Sequence, residues 1–256
     1  MIAPESLPPS AALGLSALVH LESTPSTMDE VHQRARDGAP AGLLVIADRQ
    51  RAGRGRSGNA WTSEAGAGLW MTLLERPSDA ASLRVLSLRV GLALASALEP
   101  FVDGRVMVKW PNDVYLHAPG DGSSSRKLAG ILIEARWREA IVEWVAIGIG
   151  INLRAAHPSA AALRPGTSRD SVLRALMHPL RRAVHGAASL SVAELDAWHR
   201  RDLSIGREIV GPVRGRVHGV TDDGAIEAVD ALGNRVTANV GSVQYAAGDS
   251  PVAHAT

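Results

Sequence analysis

The 256-residue sequence contains no cysteine, a single phenylalanine, two tyrosines and only two lysines among its 27 basic residues. Without cysteine there is no disulfide, no thiolate-held metal and no cysteine nucleophile. Charge of one sign is also lacking: 27 Lys+Arg face 26 Asp+Glu, a net charge of +1. No global field draws such a chain onto nucleic acid or an anionic membrane, so any basic site has to be local. Long apolar runs are missing; "GLALASALEPF" (91–101) is too short to span a bilayer. The first 26 residues have no basic n-region and their apolar residues are interrupted, so neither signal peptide nor anchor is expected. The nine histidines show no ligand spacing, so no protein-held metal is expected. These absences suggest a cytoplasmic protein that binds neither DNA nor membrane.

What is present describes an ordinary globular chain, 46% hydrophobic and 21% charged. "STPSTMDEVHQRARDG" (23–38) reads as a loop entering a helix, with Thr27 and Glu30 as a capping box and Gly38 closing it. "GLLVIAD" and "GLWMTLLE" read as buried strands, and "ASLRVLSLRVGLALASALEPF" as a helix that stops at Pro100. "RVMVKW", "DVYL", "KLAGILIEAR" and "EWVAIGIGINL" continue as strands, with a polar surface excursion at 117–126. Two helices follow, in "TSRDSVLRALMHPLRRAVHG" and in "SVAELDAWHRRDL", the second with a Ser191/Glu194 capping box. "HPLRRAVHG" reads as a solvated helix face, and Trp137, Trp144 and Trp198 as core or interface residues. After about residue 203 the texture changes to short strands broken by Asp-Gly and Gly-Asn turns, as in a small β-barrel or sandwich. An α/β domain at 1–203 and a small β domain at 204–256 with a loose end are therefore expected.

The stretch "ADRQRAGRGRSGNAW" (47–61) contains a literal G-x-G-x-x-G, Gly53 to Gly58. A dinucleotide site needs a helix directly after those glycines, so that its N-terminus faces the pyrophosphate. "NAWTSEAGAG" follows instead and has no helical periodicity. One aromatic and four arginines make a poor nucleic-acid surface, and the loop taken alone reads as a solvated excursion.

Three other short stretches carry polar chemistry on apolar strands: "KWPND" (109–113), "KLAGILIE" (127–134) and "GIGIN" (148–152). The two lysines of the chain, Lys109 and Lys127, fall in two of them. Where arginine outnumbers lysine so heavily, these lysines mark positions at which a compact point charge serves and a planar fork does not. Taken singly, each residue has a plainer reading, such as an exposed strand-end lysine, an Asx turn at Asn112/Asp113 or a polar cap at Asn152. Taken in order, with Ser26-Thr27 before the first helix, the set resembles the biotin–protein ligase family from about residue 22 to 245.

That resemblance implies a mixed sheet flanked by helices, related in architecture to class II aminoacyl-tRNA synthetases, followed by an SH3-like barrel. It implies a ligase that forms biotinyl-5′-AMP from biotin and ATP, then transfers biotin to a lysine of a biotin carboxyl carrier domain of acyl-CoA carboxylases. Magnesium would accompany the nucleotide, held by phosphates and water. By the same resemblance Ser26, Thr27, Met28 and Gln50 contact the ureido end of biotin, and Gly130 leaves room beneath it. Gly53 and Gly55 present backbone amides, and Arg54 and Arg56 fold over the carboxylate and the adenylate. Lys127 bridges carboxylate and α-phosphate. Trp61 offers a face to adenine, with Asn112 and Asn152 as polar contacts and Lys109 at the turn or a phosphate. Asp113 orients or deprotonates the carrier lysine.

Departures from the family pattern are Met28, where asparagine often stands, and Ser57 and Asn59, where many members are basic. Only 25 residues precede Ser26, too few for the winged helix found in many members, so repressor activity is not expected. A monomer or weak homodimer is expected. The competing readings are a lipoate or octanoyl ligase or transferase and a degenerate biotin sensor.

Overall fold

A computed structural model describes residues 7–118, 124–155, 157 and 159–252, apart from the side chain of Ser57. The main sheet has seven strands: β1 (Ala17–Thr24), β2 (Leu43–Gln50), β3 (Gly68–Glu75), β4 (Arg105–Lys109), β5 (Asp113–His117), β6 (Arg126–Arg138) and β7 (Ile141–Asn152). Their spatial order is β1-β2-β3-β7-β6-β5-β4. β1 and β2 are parallel and all other pairs antiparallel, so the sheet is mixed.

Four helices flank it: α1 (Thr27–Arg36), α2 (Leu83–Leu98), α3 (Arg169–Val184) and α4 (Val192–Arg201). Because successive strand residues face opposite sides, β2 divides its apolar run between two cores. Leu43 and Val45 pack with Met28, Val31 and Ala35 of α1, while Leu44 and Ile46 join α2 and α3. β3 is buried along its whole length, as a central strand covered on both faces must be.

A second, antiparallel sheet is built from β8 (Glu208–Gly211), β9 (Gly215–Val220), β10 (Ile226–Val229), β11 (Arg235–Ala238) and β12 (Gln244–Tyr245), in the order β11-β10-β9-β8-β12. Its hairpin turns use Gly224 at φ 88° and Gly233 at φ 85°, left-handed positions that favour glycine. The two sheets share one core: Ile209, Val217, Ile226 and Val243 belong to the same apolar cluster as α2 and α3. Trp110, at the end of β4, donates its indole N–H to the Gly224 carbonyl at 3.0 Å.

The strands and helices expected from the sequence are present, and the Ser191/Glu194 capping box forms. Other expectations need correction. β1 was not foreseen; its pattern is interrupted by the exposed His20, Glu22 and Ser23, and its apolar residues are only half-buried. The N-cap of α1 is Ser26, not Thr27, and Glu30 accepts from Thr24 rather than closing a capping box. Arg181 is not simply solvated, because its Nε donates at 2.6 Å to Glu75, a carboxylate with no exposed surface. Trp144 and Trp198 are buried, whereas Trp137 is 46% exposed.

The helical stretch Ala80–Phe101, at 22 residues, is long and apolar enough to cross a membrane by composition, contrary to the expectation from its apolar runs. In this fold it is the core helix, in contact with α3, α4, β4 and β6. The C-terminal segment is tied down as far as Val252: Ala246 donates to Glu208, and Ser125 donates to the Pro251 carbonyl at 2.7 Å. The expected excursion at 117–126 lies outside the described residues at 119–123, the loose end does so beyond Val252, and the expectations for residues 1–6 and for the side chain of Ser57 do so as well.

Asp202 lies between α4 and β8, where its backbone bridges to Val108 of β4. It is fully buried; Oδ2 accepts from Trp198 Nε1 at 3.1 Å and Oδ1 from the Ser204 amide at 2.8 Å. Burial outweighs these bonds and pushes its carboxyl up to about 6 from 3.8. Between those values the folded protein keeps a proton that the unfolded chain has lost, so this group's contribution falls as pH rises and levels off above about 6. We predict that urea unfolding of the wild type shows a component of roughly 3 kcal/mol declining from pH 4 to 6. Asp202→Asn should lack it; an unchanged slope in that variant would refute the assignment.

Candidate active site

The pairing register builds a floor without side chains. Gly130 of β6 lies opposite Gly150 of β7 and also opposite Asp113 of β5. Gly148 and Gly150 share one face of β7, since strand residues two apart point the same way. Above them opens a cleft of about 810 Å³ including its mouth. A Cβ at Gly130 or Gly150 would lie 2.7 or 2.6 Å from the Trp61 ring, and one at Gly148 2.8 Å from Met28 Cε. Glycine is therefore required here for close approach rather than for turn geometry.

One end of the cleft is neutral and hydrogen-bonded. Ser26 caps α1 by accepting from the Met28 amide at 3.3 Å. This turns Thr27 toward β2, where its amide and hydroxyl donate to Gln50 Oε1 at 2.9 and 3.0 Å. Thr27 also meets the Thr72 hydroxyl at 2.8 Å, and Gln50 Nε2 donates to Ser63 at 3.0 Å. Ser26 and Thr27 are 2% and 3% exposed. A buried polar chain satisfied in this way is fixed in orientation.

The other end is cationic. Lys127 Nζ lies 2.8 Å from Asp113 Oδ1 and 5.1 Å from the Trp61 ring centroid. Arg56 Nη1 donates to Asn112 Oδ1 at 3.4 Å and to the Gly241 carbonyl at 3.3 Å. Arg54 grips Asp29 of α1 through both terminal nitrogens, at 2.7 and 2.9 Å. That bond holds the Asp29 carboxyl below its usual range and raises the arginine, with burial opposing both. Asn112 is itself fixed, donating to the Ile131 carbonyl at 2.8 Å.

Of the residues singled out from sequence, Ser26, Thr27, Met28, Gln50, Arg54, Gly55, Arg56, Trp61, Asn112, Asp113, Lys127 and Gly130 all line this cleft. Gly53, Lys109 and Asn152 do not. Gly53 is held against the Trp61 carbonyl, which a Cβ would approach to 2.5 Å, and accepts from the Trp61 amide. The Gly55 amide donates to the Asn59 carbonyl at 2.8 Å, so it closes the loop's own turn rather than presenting itself to a ligand. Lys109 instead sets its ammonium 5.4 Å from the Tyr245 ring. Burial and the charge of Lys127 lower it, while Asp113 opposes them. Asn152 donates to the Lys127 carbonyl at 3.2 Å, fixing the strand that carries the lysine.

Sequence reasoning missed Met71, Thr72, Gly148, Gly150 and Ser242. The glycine alternation in "GIGIN" and the threonine inside the apolar run of "GLWMTLLE" were available signals. Ser242 had none, because it reaches the cleft only through docking of the second sheet. After the glycines the chain makes one short 3₁₀ turn, Arg56–Gly58, and no α-helix, as expected for a loop that is not a dinucleotide fingerprint.

Comparison with known proteins places this geometry in context. The bifunctional ligase/repressor BirA of Bacillus subtilis is 36% identical over 137 residues, 53% of this chain and 40% of that protein. The chain thus spans about 40% of the length of the Bacillus relatives that it matches. The biotin–[acetyl-CoA-carboxylase] ligase of Mycobacterium tuberculosis is 29% identical, aligned over 92% of this chain and 91% of its own. In fold, the chain resembles the biotin protein ligase from Aquifex aeolicus in complex with biotin and ATP, with a TM-score of 0.71 at 24% identity over 90% of this chain and 98% of that one. The sequence profile of the biotin/lipoate A/B protein ligase family matches residues 20–152; with more than half of its length inside that profile, the chain belongs to this family.

Proposed function

We propose that the protein is a biotin–protein ligase, which makes biotinyl-5′-AMP from biotin and ATP and passes biotin to a lysine of a biotin carboxyl carrier domain. The observation that carries this reading is the two-ended cleft, with a neutral hydrogen-bonding end and a cationic end over one glycine floor. A neutral ureido ring needs matched donors and acceptors, and Ser26, Thr27 and Gln50 are arranged to provide them. A carboxylate and an α-phosphate brought together need dense, preoriented positive charge, the role given to Lys127, Arg54 and Arg56. The relatives named above support the substrate assignment.

In the first step a biotin carboxylate oxygen bonds to the α-phosphorus and the bond to the β-phosphate oxygen breaks, releasing diphosphate. In the second the carrier amine bonds to the acyl carbon, the bond to AMP breaks, and the amine proton passes to a base. Asp113 suits that last task once substrate anions replace it as the partner of Lys127, because it is then free to accept. Trp61 Nε1 is buried against Gly150 and has no hydrogen-bond partner among the described residues. Asn112 is placed for the nucleotide; Lys109 and Asn152 act from behind the wall. Among the described residues no group of three or more histidines and carboxylates is placed to hold a metal. The donor set does not fit a protein-held magnesium site; magnesium would be held by the nucleotide phosphates and water. We further propose that residues 204–256 form an SH3-like domain beside a catalytic domain at 1–203.

Incubation with biotin, magnesium-ATP and an apo biotin-carrier domain, read by intact mass, should add one biotinyl group to the carrier and none without ATP. Labelling only of a lipoyl domain supplied with lipoate would overturn the biotin assignment. Lys127→Ala is expected to cut adenylate formation at least about 100-fold with thermal unfolding unchanged; near-normal rates in that variant would remove its role. Thr27→Val, which takes a donor out of a buried network, should weaken biotin binding by about 1–2 kcal/mol as measured by calorimetry. Equal affinity would exclude the neutral end as the ring site.

A further inference from the structure

We infer that the turn at residues 239–242 of the second sheet is a wall of the active site, and that the Gly241 carbonyl is a positioning partner for Arg56. The inference rests on the ligase reading for its chemistry but not for its geometry. Ser242 lines the cleft, and Arg56 Nη1 reaches the Gly241 carbonyl at 3.3 Å.

That carbonyl is aimed by packing rather than by chance. Gly241 sits at φ 121°, where a side chain is strained, and a Cβ there would lie 2.7 Å from Pro212 Cβ. On its C-terminal side Val243 is buried in the shared core. Tyr245 is held by the Ser204 hydroxyl at 2.9 Å and by the Lys109 ammonium 5.4 Å from its ring.

The two loop arginines are held by different chemistry. Arg54 is bound by a carboxylate, Asp29, which neutralises it. Arg56 is bound by two neutral acceptors, the Asn112 amide oxygen and the Gly241 carbonyl. A neutral acceptor fixes a guanidinium without cancelling its charge. Without ligand the charge of Arg54 is balanced by Asp29, as that of Lys127 is by Asp113, whereas Arg56 presents its charge uncompensated by a carboxylate among the described residues. The second sheet supplies one of the two acceptors that keep Arg56 aimed.

Hydrogen exchange on the 256-residue chain without ligands tests the contact. Arg56→Gln should speed exchange of the amides at 239–243 about three- to tenfold, the worth of one modest hydrogen bond. Arg51→Gln serves as the control, since Arg51 bonds Ser23 at 3.2 Å, and should leave them unchanged. No difference between Arg56→Gln and wild type would overturn the contact, whatever the protein does with biotin.

Gly241→Ala tests the role. It should release biotinyl-AMP about three- to tenfold faster than wild type. Added to Arg56→Gly it should have no further effect, a non-additivity that a merely structural lesion does not give. Normal adenylate retention by a folded Gly241→Ala, or full additivity with Arg56→Gly, would overturn the positioning role. If the wild type made no adenylate at all, the ligase reading would fall, and the exchange result would still decide the contact.

Discussion

The structure has to concentrate positive charge at one end of a cleft before any anion is there to balance it. Lys127, Arg54 and Arg56 converge on the same lining, and unpartnered cations in such a place would repel one another and resist burial. The fold answers with a separate holding partner for each: Asp113 for Lys127, Asp29 for Arg54, and two neutral oxygens for Arg56. The partners come from β5, α1 and the second sheet, so charge placement at the site depends on the relative position of three parts of the molecule. On the proposed reading, substrate anions would meet an arrangement already oriented, which keeps the cost of reorganising it during reaction small.

The glycine floor follows from the same requirement. The loop that carries the charge packs its Trp61 ring on this floor, and a side chain at Gly130 or Gly150 would push that ring away. Antiparallel pairing sets Gly130 beside Gly150, so two glycines distant in sequence clear a single surface. Trp61 rests against this surface, 6.3 Å from Trp70 in an edge-on arrangement. The loop that carries the arginines is thereby anchored at both ends, by Asp29 near its start and by packed tryptophan near its finish.

Much of this was legible in the sequence because it is written in short stretches. "RVMVKW" alternates, "KLAGILIE" and "EWVAIGIGINL" are apolar runs edged by polar residues, and all three form strands where the sequence predicts them. What escaped depends on partners far along the chain. Nothing near Thr27 reveals that its hydroxyl goes to Gln50 rather than back to its own helix. The Gly55 amide was assigned outward because local sequence does not show that Asn59 turns back to take it. β1 was missed because an edge strand with polar interruptions has little apolar alternation to read. Ser242 and Gly241 were invisible for a larger reason: the docking of the second sheet is set by a shared core that includes Ile209, Val217 and Val243, and no local motif encodes a docking angle.

The two lysines illustrate how composition and geometry meet. In a chain with 25 arginines, both lysines stand where a compact ammonium lies beside an aromatic ring. The ammonium of Lys127 is confined between Asp113 and the Trp61 ring, and its Cε lies 3.5 Å from where a Cβ on Gly130 would be. Lys109 is half-buried against the Tyr245 ring, and burial lowers it against the opposing charge of Asp113. One lysine faces the cleft and the other ties the cleft's strand to the second sheet. The composition bias therefore marked two structurally demanding positions, but it could not say which of them served the chemistry. That distinction is made by strand register: Lys127 follows β6 onto the glycine floor, while Lys109 ends β4 against the second sheet.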